Sequence, residues 1–356
     1  MATATIPAVI SEDDASHSVV GTTFAASTTL SNSNLTAGHR YMLLARGRMW
    51  SSSLSDGKGW QAKVYDGTNG ADFSDSLEVK NPPGTGSSAS NTTHYAYCTV
   101  FSAGTGTADM KIMIAGQHAS NGAGKQEYGS ILILDLSELA EDVDYFIAED
   151  STGATHTDSY VDRVTKALTL PSNTQADGNW LVMGHVRFDH TTTTNQIMPT
   201  AKLKCTNGTE VRTSQPVFSQ EPEATTEFTS DIFARVFPIA YANDGTATFE
   251  IETKDSASNS PQNDYESSRL IGLRLNSFSE ADSEFDEADV TTTSSNTWTD
   301  MGVEAAVTPD AGANTDYIVF GMCVADPNGV SANLWTRLRT DGGSGSAADI
   351  MSADAS

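Results

Sequence analysis

The densest group of side chains that could act chemically is His185-Val186-Arg187-Phe188-Asp189-His190. Residues four apart on a β-strand point to the same face, so His185 and Asp189 would lie on one side. An imidazole beside a carboxylate can bind a metal ion or act as a general base. However, Arg46 stands at the equivalent position in an internal repeat described below. A polar position near the end of a strand explains the pattern as well, and we predict no catalytic residue here.

A second candidate is the loop Asp66-Gly67-Thr68-Asn69-Gly70-Ala71-Asp72, whose oxygen-bearing side chains are close enough together to suit calcium. It lacks the ligand spacing and the terminal Glu of an EF-hand loop. In a chain this acidic, such clusters arise easily. We predict no metal-binding residue and no cofactor, and the sequence leaves open whether an acidic loop binds calcium.

No Gly-rich phosphate loop, nucleophile elbow, Ser/His/Asp order or paired catalytic carboxylate is recognisable in the chain. Arg48 and Arg187 occupy equivalent places in the repeat and suit a structural role, such as pairing with an acid or capping carbonyls at a sheet edge. Positions shared between the repeats are otherwise mostly apolar or turn residues. The sequence therefore predicts a protein that is not an enzyme, with no catalytic or cofactor-binding residues.

The charge balance limits the classes of partner. The 356 residues include 46 acidic and 20 basic side chains, which gives a net charge of −26. Such a surface repels nucleic acid phosphates and anionic membranes. No apolar run approaches the ~18 residues of a membrane span. We therefore predict no nucleic-acid partner and no membrane insertion.

The cysteines and the amino terminus indicate a reducing compartment. Cys98, Cys205 and Cys323 fall at different places within their repeats, which is typical of buried free thiols and not of a disulfide framework. The segment Met1–Pro7 lacks the basic start and apolar core of a signal peptide. We expect folding in a cytoplasm.

The chain repeats itself about every 139 residues. Tyr41–Ala45 aligns with Trp180–Gly184 (180 − 41 = 139), and Ile131–Leu136 aligns with Leu270–Leu275 (270 − 131 = 139). A third copy begins near Phe285 and lacks a match to the second half of the unit. A repeat of this size is a whole domain. The predicted domains are residues 1–139, residues 140–278, and the first half of a third repeat at 279–356.

Each unit contains about eight short strand patterns separated by turns. Tyr41–Met49 and Trp180–Phe188 are apolar at successive positions, as strands covered on both faces are. The next strand ends in Asp66-Gly67, Asn207-Gly208 or Asp341-Gly342, dipeptides that favour hairpin turns. The sequence predicts an all-β protein of tandem antiparallel β-sandwich, jelly-roll-like repeats, the third incomplete.

The third copy contributes the strand patterns Thr297–Val307, Tyr317–Val324 and Trp335–Thr340. Half a sandwich leaves an apolar face and unpaired strand edges. We therefore expect either a natural chain that continues beyond Ser356, the alternative we favour, or a neighbouring subunit that completes the sheet.

The order of motifs resembles that of a known group of proteins. In each unit a Gly-containing loop precedes a strand of aromatic and apolar residues. The next strand contains Lys or Arg and ends in an Asp-Gly or Asn-Gly turn. A later strand begins with Gly-Thr-Ala, as in Gly106–Ile112. This pattern resembles the tandem jelly-roll modules of phage virion proteins: capsid decoration, head-fibre and tail-fibre proteins. It is more distantly similar to trimeric tumour-necrosis-factor-type jelly rolls.

The resemblance covers most of the chain at the level of the fold, and it implies a function. The chain would be a non-enzymatic structural protein of the virion exterior, assembled in the host cytoplasm. Its partners would be other copies of itself, in a homotrimer or other symmetric oligomer, and other virion proteins. A host-surface glycan is a further candidate partner. The alternative is a bacterial surface adhesin or an array of carbohydrate-binding modules, which would normally carry a signal peptide.

Overall fold

The computed structural model describes most of the first 278 residues and two strands near the end of the chain. The described residues are 8–13, 15–19, 22–32, 35–51, 60–73, 77–79, 91–104, 108–116, 124–155, 157–170, 177–190, 199–218, 227–255, 263–278, 281, 283, 319, 321, 334–340 and 348–355. Within them there is no α-helix, and no helix is long and apolar enough to cross a membrane. The predicted all-β class is confirmed.

Ten strands between residues 8 and 135 form the first sandwich. They are β1 Ala8–Asp13, β2 His17–Val19, β3 Ala25–Asn32, β4 Arg40–Ser51, β5 Trp60–Asp66, β6 Ala71–Asp72, β7 Leu77–Val79, β8 Asn91–Ser102, β9 Ala108–Gly116 and β10 Gly124–Asp135. One sheet has the order β1-β10-β4-β8, with β2 also on β10; the other has the order β3-β9-β5-β6, with β7 also on β5. The first and last strands pair, and the longer strands β3, β4, β5, β8, β9 and β10 alternate between the two sheets, as in a jelly roll.

Ten further strands between residues 145 and 274 form the second sandwich. They are β11 Tyr145–Asp150, β12 Ala154–Thr155, β13 Val161–Thr169, β14 Gly178–His190, β15 Pro199–Asn207, β16 Glu210–Thr213, β17 Val217–Phe218, β18 Glu227–Ile239, β19 Thr246–Asp255 and β20 Asn263–Arg274. Their sheets are β11-β20-β14-β18 and β13-β19-β15-β16, with β12 on β20 and β17 on β15. This strand order repeats that of the first sandwich.

Alternating side chains fill each sandwich. Val64 pairs with Ile112 in the first sandwich, and Leu203 pairs with Ile251 in the second; all four side chains are buried. Because successive residues of a strand point to opposite faces, every second residue reaches the core. Tyr41, Leu43 and Ala45 follow this rule in β4, so the inner face is the one the alternation predicts.

The two sandwiches share a third apolar layer, formed by the outer faces of the β4 and β14 sheets. We call it the inter-sandwich layer; its buried members are Met42, Cys98, Leu134, Leu136, Leu139, Tyr145, Met183, Ile271 and Leu273. Four sheets therefore enclose three apolar layers. The uninterrupted apolar runs of β4 and β14 follow from this arrangement, since one set of side chains enters a sandwich core and the other enters the shared layer.

A short connector between β10 and β11 belongs to the same layer. Leu136 and Leu139 are buried, and the amides of Val143 and Asp144 both donate to the carbonyl of Ala140. Asp144 in turn accepts a hydrogen bond from Ala140 N at 3.0 Å. The connector is thus a packed turn and not a flexible hinge.

The hairpin turns differ in detail from the sequence prediction. Gly208 has φ +66° in the two-residue turn between β15 and β16, as the Asn-Gly dipeptide predicts. Between β5 and β6 the turn has four residues, and the positive φ of +67° falls on Gly70. The hairpin predicted after Asp66 is therefore confirmed, but its positive φ falls on Gly70 and not on Gly67, because the turn has four residues.

The third unit is described only in part. The predicted strand Trp335–Thr340 lies in β21 Leu334–Thr340, which pairs with β22 Ala348–Ala355 in a hairpin. The predicted strand Thr297–Val307 lies outside the described residues. Of Tyr317–Val324, only positions 319 and 321 are described; neither is in a strand, and Val319 is 52% exposed. The domain boundaries at residues 139 and 278 stay predictions.

Candidate functional site

His185 lies in the contact between the two sandwiches and not in an open cleft. Its side chain is 1% exposed, and its ring meets the ring of Tyr97 edge-on, with 5.4 Å between centroids. The guanidinium of Arg269, the cross-strand neighbour of His185, lies 5.0 Å from the Tyr97 centroid. Arg269 also pairs with Glu149 at 3.1 Å.

The His185 environment excludes its charged form. Burial, together with the charges of Arg269 and Arg187, lowers the pKa of His185 to about 3. Neither ring nitrogen has a hydrogen-bond partner in the part of the chain that the structure describes. The predicted alignment of His185 with Asp189 therefore produces no hydrogen-bonded pair, and His185 is a neutral packing residue of the inter-sandwich layer. A general base would need a partner and access to solvent.

The acidic loop that resembled a calcium site is stabilised by its own hydrogen bonds. One Asp66 carboxylate oxygen accepts from the amides of Thr68 and Asn69 at 2.9 and 3.1 Å, and the other accepts from Asn69 Nδ2 at 2.6 Å. Asp72 pairs with Lys63 at 2.8 Å. These contacts are those of an Asx turn. No three His, Cys, Asp or Glu side chains among the described residues are arranged to hold a metal ion.

The buried thiols match the prediction where they are described. Cys98 lies in the inter-sandwich layer and Cys205 in the second core, and both are free. Burial raises the pKa of each thiol to about 12. Both are therefore unreactive packing residues. Cys323 lies outside the described residues.

A polar cleft opens on the second sandwich where its two sheets approach each other at β16 and β18. It is a shallow depression of about 500 Å³, and its lining includes Tyr160, Lys202, Arg212, Ser214, Gln215 and Arg235. None of the described residues that line it is acidic. In a chain with 46 acidic and 20 basic side chains, this is an unusual concentration of one sign. We call it the basic cleft.

The basic cleft exists because Ser214 stands where the first sandwich has an aromatic side chain. The amide of Phe73 donates to the carbonyl of Val64, and the amide of Ser214 donates to that of Leu203; both distances are 2.8 Å. Val64 and Leu203 are equivalent core residues, so Phe73 and Ser214 are equivalent. Phe73 fills the edge of the first sandwich by packing edge-on against Phe101, with 5.0 Å between ring centroids.

An arginine at an equivalent strand position adds the charge. Arg235 pairs with Val182 in β18–β14, whereas Thr99 pairs with Leu43 in β8–β4. Thr99 is buried, but Arg235 extends to the cleft and donates to the carbonyl of Thr213. The same scaffold position thus serves packing in one sandwich and presents a cation in the other.

The remaining cations of the basic cleft differ in how firmly they are held. Lys202 pairs with Glu252 at 2.9 Å, and its ammonium lies 3.9 Å from the Tyr160 ring centroid. Arg212 pairs with Glu210 at 2.9 Å, with 40% and 46% of the two side chains exposed. Exposed pairs contribute ~0–1 kcal/mol. Arg212 can therefore exchange its partner at little cost, whereas Lys202 is fixed.

Comparisons with known proteins give no family assignment. No protein-family model matches the chain, and no curated protein matches it. Three solved structures are similar in part. The insecticidal delta-endotoxin Cry8Ea1 of Bacillus thuringiensis is 11% identical, with 68% of this chain and 54% of the toxin covered, at a TM-score of 0.24. This chain therefore spans about half of the toxin's length.

The other two structures are a viral particle protein and an enzyme. The infectious bursal disease virus particle structure is 11% identical, covering 78% of this chain and 71% of that one, with a TM-score of 0.24. The glycosylasparaginase PNGase F of Flavobacterium meningosepticum is 11% identical, covering 75% and 96%, with a TM-score of 0.32. TM-scores this low support no transfer of function.

Proposed function

We propose that the chain is a non-enzymatic structural protein of a virion exterior, of the capsid decoration, head-fibre or tail-fibre type. The observation that carries the proposal is the inter-sandwich layer, which joins two jelly rolls into one block of four sheets. A protein that transmits load or covers a surface benefits from such a block, whereas a catalytic site between domains needs an open cleft.

The chemistry of the described side chains supports the same proposal. His185, the histidine that the sequence singled out, and the two described thiols are buried in packing roles. The outer face of the second sandwich instead carries cross-strand ion pairs, such as Lys204 with Glu250 at 2.9 Å. A rigid interior with a charged, solvated exterior suits display on a particle.

Symmetric self-association completes the proposal, as a homotrimer or another closed oligomer. The β1 strand is the outermost strand of its sheet, and its Ile10 is 57% exposed. At the equivalent position of β11, Ile147 packs against the inter-sandwich layer. An exposed edge with an apolar side chain favours contact with another copy.

Analytical ultracentrifugation tests the self-association directly. The full chain should sediment as a symmetric oligomer, and Ile10→Asp should shift it towards the monomer. Val143→Asp is the matched control, because it places the same charge at another exposed apolar side chain, 45% exposed and away from β1. A wild-type chain that stays monomeric at all concentrations would contradict the proposed assembly.

The basic cleft favours one alternative, a surface adhesin or an array of carbohydrate-binding modules. Such a protein would share the scaffold and would bind its ligand through side chains at the edge of one sandwich. Location separates the two: a virion protein co-purifies with particles, and an adhesin is found on the cell surface.

A further inference from the structure

The basic cleft is a shallow, open depression whose volume suffices for a small ligand. Its volume of about 500 Å³ falls within the ~300–1,000 Å³ that is usual for small-molecule sites. Only Val211 and Pro216 supply apolar lining beside the phenol of Tyr160. The remaining lining carries hydroxyl, amide, ammonium and guanidinium groups, so the cleft suits a polar ligand with many hydrogen-bonding groups.

The charges define the polar group that the ligand carries. Lys202 and Arg212 approach from β15 and β16, and Arg235 approaches from β18 in the opposite sheet. A guanidinium matches a carboxylate through two parallel hydrogen bonds, and such charge-assisted bonds are about twice as strong as neutral ones. Arg212 now holds the exposed carboxylate of Glu210, and a ligand carboxylate can replace it.

A peptide fits the basic cleft less well than a saccharide. A peptide that binds at a sheet edge adds a strand and uses the free carbonyls of that edge. The carbonyl of Thr213, at the end of β16, already accepts a hydrogen bond from Arg235. The apolar lining is also too small to anchor apolar peptide side chains.

We propose that the basic cleft of the second sandwich binds an acidic saccharide, whose sugar carboxylate pairs with Arg212 in place of Glu210. The sugar hydroxyls then face Gln215, Thr213 and the rim of the cleft. At the equivalent place of the first sandwich, Phe73 packs against Phe101. The two sandwiches therefore differ in role: one is a packing module and the other is a binding module.

The test is saturation-transfer NMR on the full chain, with sodium glucuronate and N-acetylneuraminic acid as probes. We expect a saturable signal for at least one of the two acids, and a signal that falls as salt is added, because the pairing is partly solvent-exposed. The methyl esters of the same sugars are the matched neutral probes. A saturable signal of equal strength for acid and ester, or no saturable signal for either acid, would overturn the proposal.

Two variants locate the binding in the basic cleft. Arg212→Gln removes a surface charge and should weaken binding by up to about fivefold, because an exposed pair contributes up to ~1 kcal/mol. Ser214→Phe fills the cleft as Phe73 does in the first sandwich, and it should abolish binding without a change of charge. Lys63→Gln removes the cation equivalent to Lys202 in the first sandwich, and it should leave binding unchanged.

The variants also separate the proposal from its rivals. Arg212→Gln lies at an exposed position and keeps the fold, so unchanged binding in this variant would refute the assignment even if Ser214→Phe fails to fold. A synthetic peptide with the acidic sequence of residues 279–289 tests the other ligand class; if the peptide binds at the cleft and both sugars fail, the saccharide assignment is wrong. Saccharide binding is measured on the purified chain, so its outcome is independent of the proposed virion role.

Discussion

Removal of His185 from the inter-sandwich layer should change how the stability of the protein depends on pH. The pKa of this histidine is lowered from 6.5 to about 3 by burial and by the charges of Arg269 and Arg187. The unfolded chain therefore binds a proton at pH values where the folded chain does not. The contribution of neutral His185 to the free energy of unfolding is fully present above pH 6.5 and is lost as pH falls towards 3.

The size of the effect follows from the width of that window. The unfolded histidine is half protonated at pH 6.5, and the slope approaches about 1.4 kcal/mol per pH unit below that. Wild-type stability should therefore fall by about 2 kcal/mol between pH 6.5 and 4.5 through this residue alone. His185→Leu removes the titrating group and both unpaired ring nitrogens while keeping an apolar side chain. The variant should be at least as stable as wild type at pH 5, since a buried unsatisfied polar group costs ~1–3 kcal/mol.

Urea unfolding at pH 6.5, 5.5 and 4.5 measures the difference between wild type and variant, and the titration of the other histidines cancels in that difference. Met183→Leu is the control, because Met183 lies in the same layer on the same strand and does not titrate. This control should keep the wild-type dependence on pH. If His185→Leu loses stability with falling pH as steeply as wild type does, His185 is not held neutral between the sandwiches.

Two further predictions concern packing in the cores. A Cβ atom at Gly272 would lie 2.0 Å from the Phe146 ring, so Gly272→Ala should destabilise the chain by about 1–3 kcal/mol in urea unfolding. Gly104→Ala is the control, because a Cβ atom there would have no atom within 4 Å, and this variant should keep the wild-type stability. Equal losses of stability in the two variants would contradict the tight packing at Gly272. The Cys98 and Cys205 thiols, whose pKa burial raises to about 12, should resist iodoacetamide at pH 8 until the chain is unfolded. Peptide mapping by mass spectrometry reads the labelling, and rapid alkylation of either thiol in the folded chain would show that it is accessible.

Much of the scaffold follows from local sequence rules. The 139-residue offset and the continuous apolar pattern place Tyr41 and Trp180 at equivalent positions of β4 and β14, both facing a core. Period-two alternation also identifies the buried faces of β9 and β19. The equivalence of strands and the identity of their buried faces depend only on residue patterns within one strand or between equivalent strands, so they can be predicted from the sequence.

Strand register was harder to predict. By sequence pattern alone, Tyr95–Phe101 aligns with Phe233–Ile239 (233 − 95 = 138). The structure instead pairs Tyr41 with Phe101 and Trp180 with Phe237, which gives an offset of 237 − 101 = 136. The true offset in this strand is therefore two residues smaller. Because side chains alternate with a period of two, a shift of two residues leaves the inner and outer faces unchanged, and hydrophobicity alone cannot detect it.

The basic cleft was missed for a related reason. The repeats share apolar and turn residues, but the cleft arises where the repeats differ, at Ser214 and Arg235. Those positions are matched to Phe73 and Thr99 only by backbone hydrogen bonds and strand register. The contact of His185 with Tyr97 joins residues of different repeats, so no pattern within one repeat predicts it.

The central claim is that this chain is a structural component of a virion exterior. Quantitative mass spectrometry of virus particles purified from the source that carries the gene tests it most directly, with antibody labelling in electron microscopy to locate the protein. The proposal predicts a fixed copy number per particle, a multiple of three for trimers, and labelling on the outer surface. Absence of the chain from intact particles, or its recovery on the host cell surface, would contradict the account.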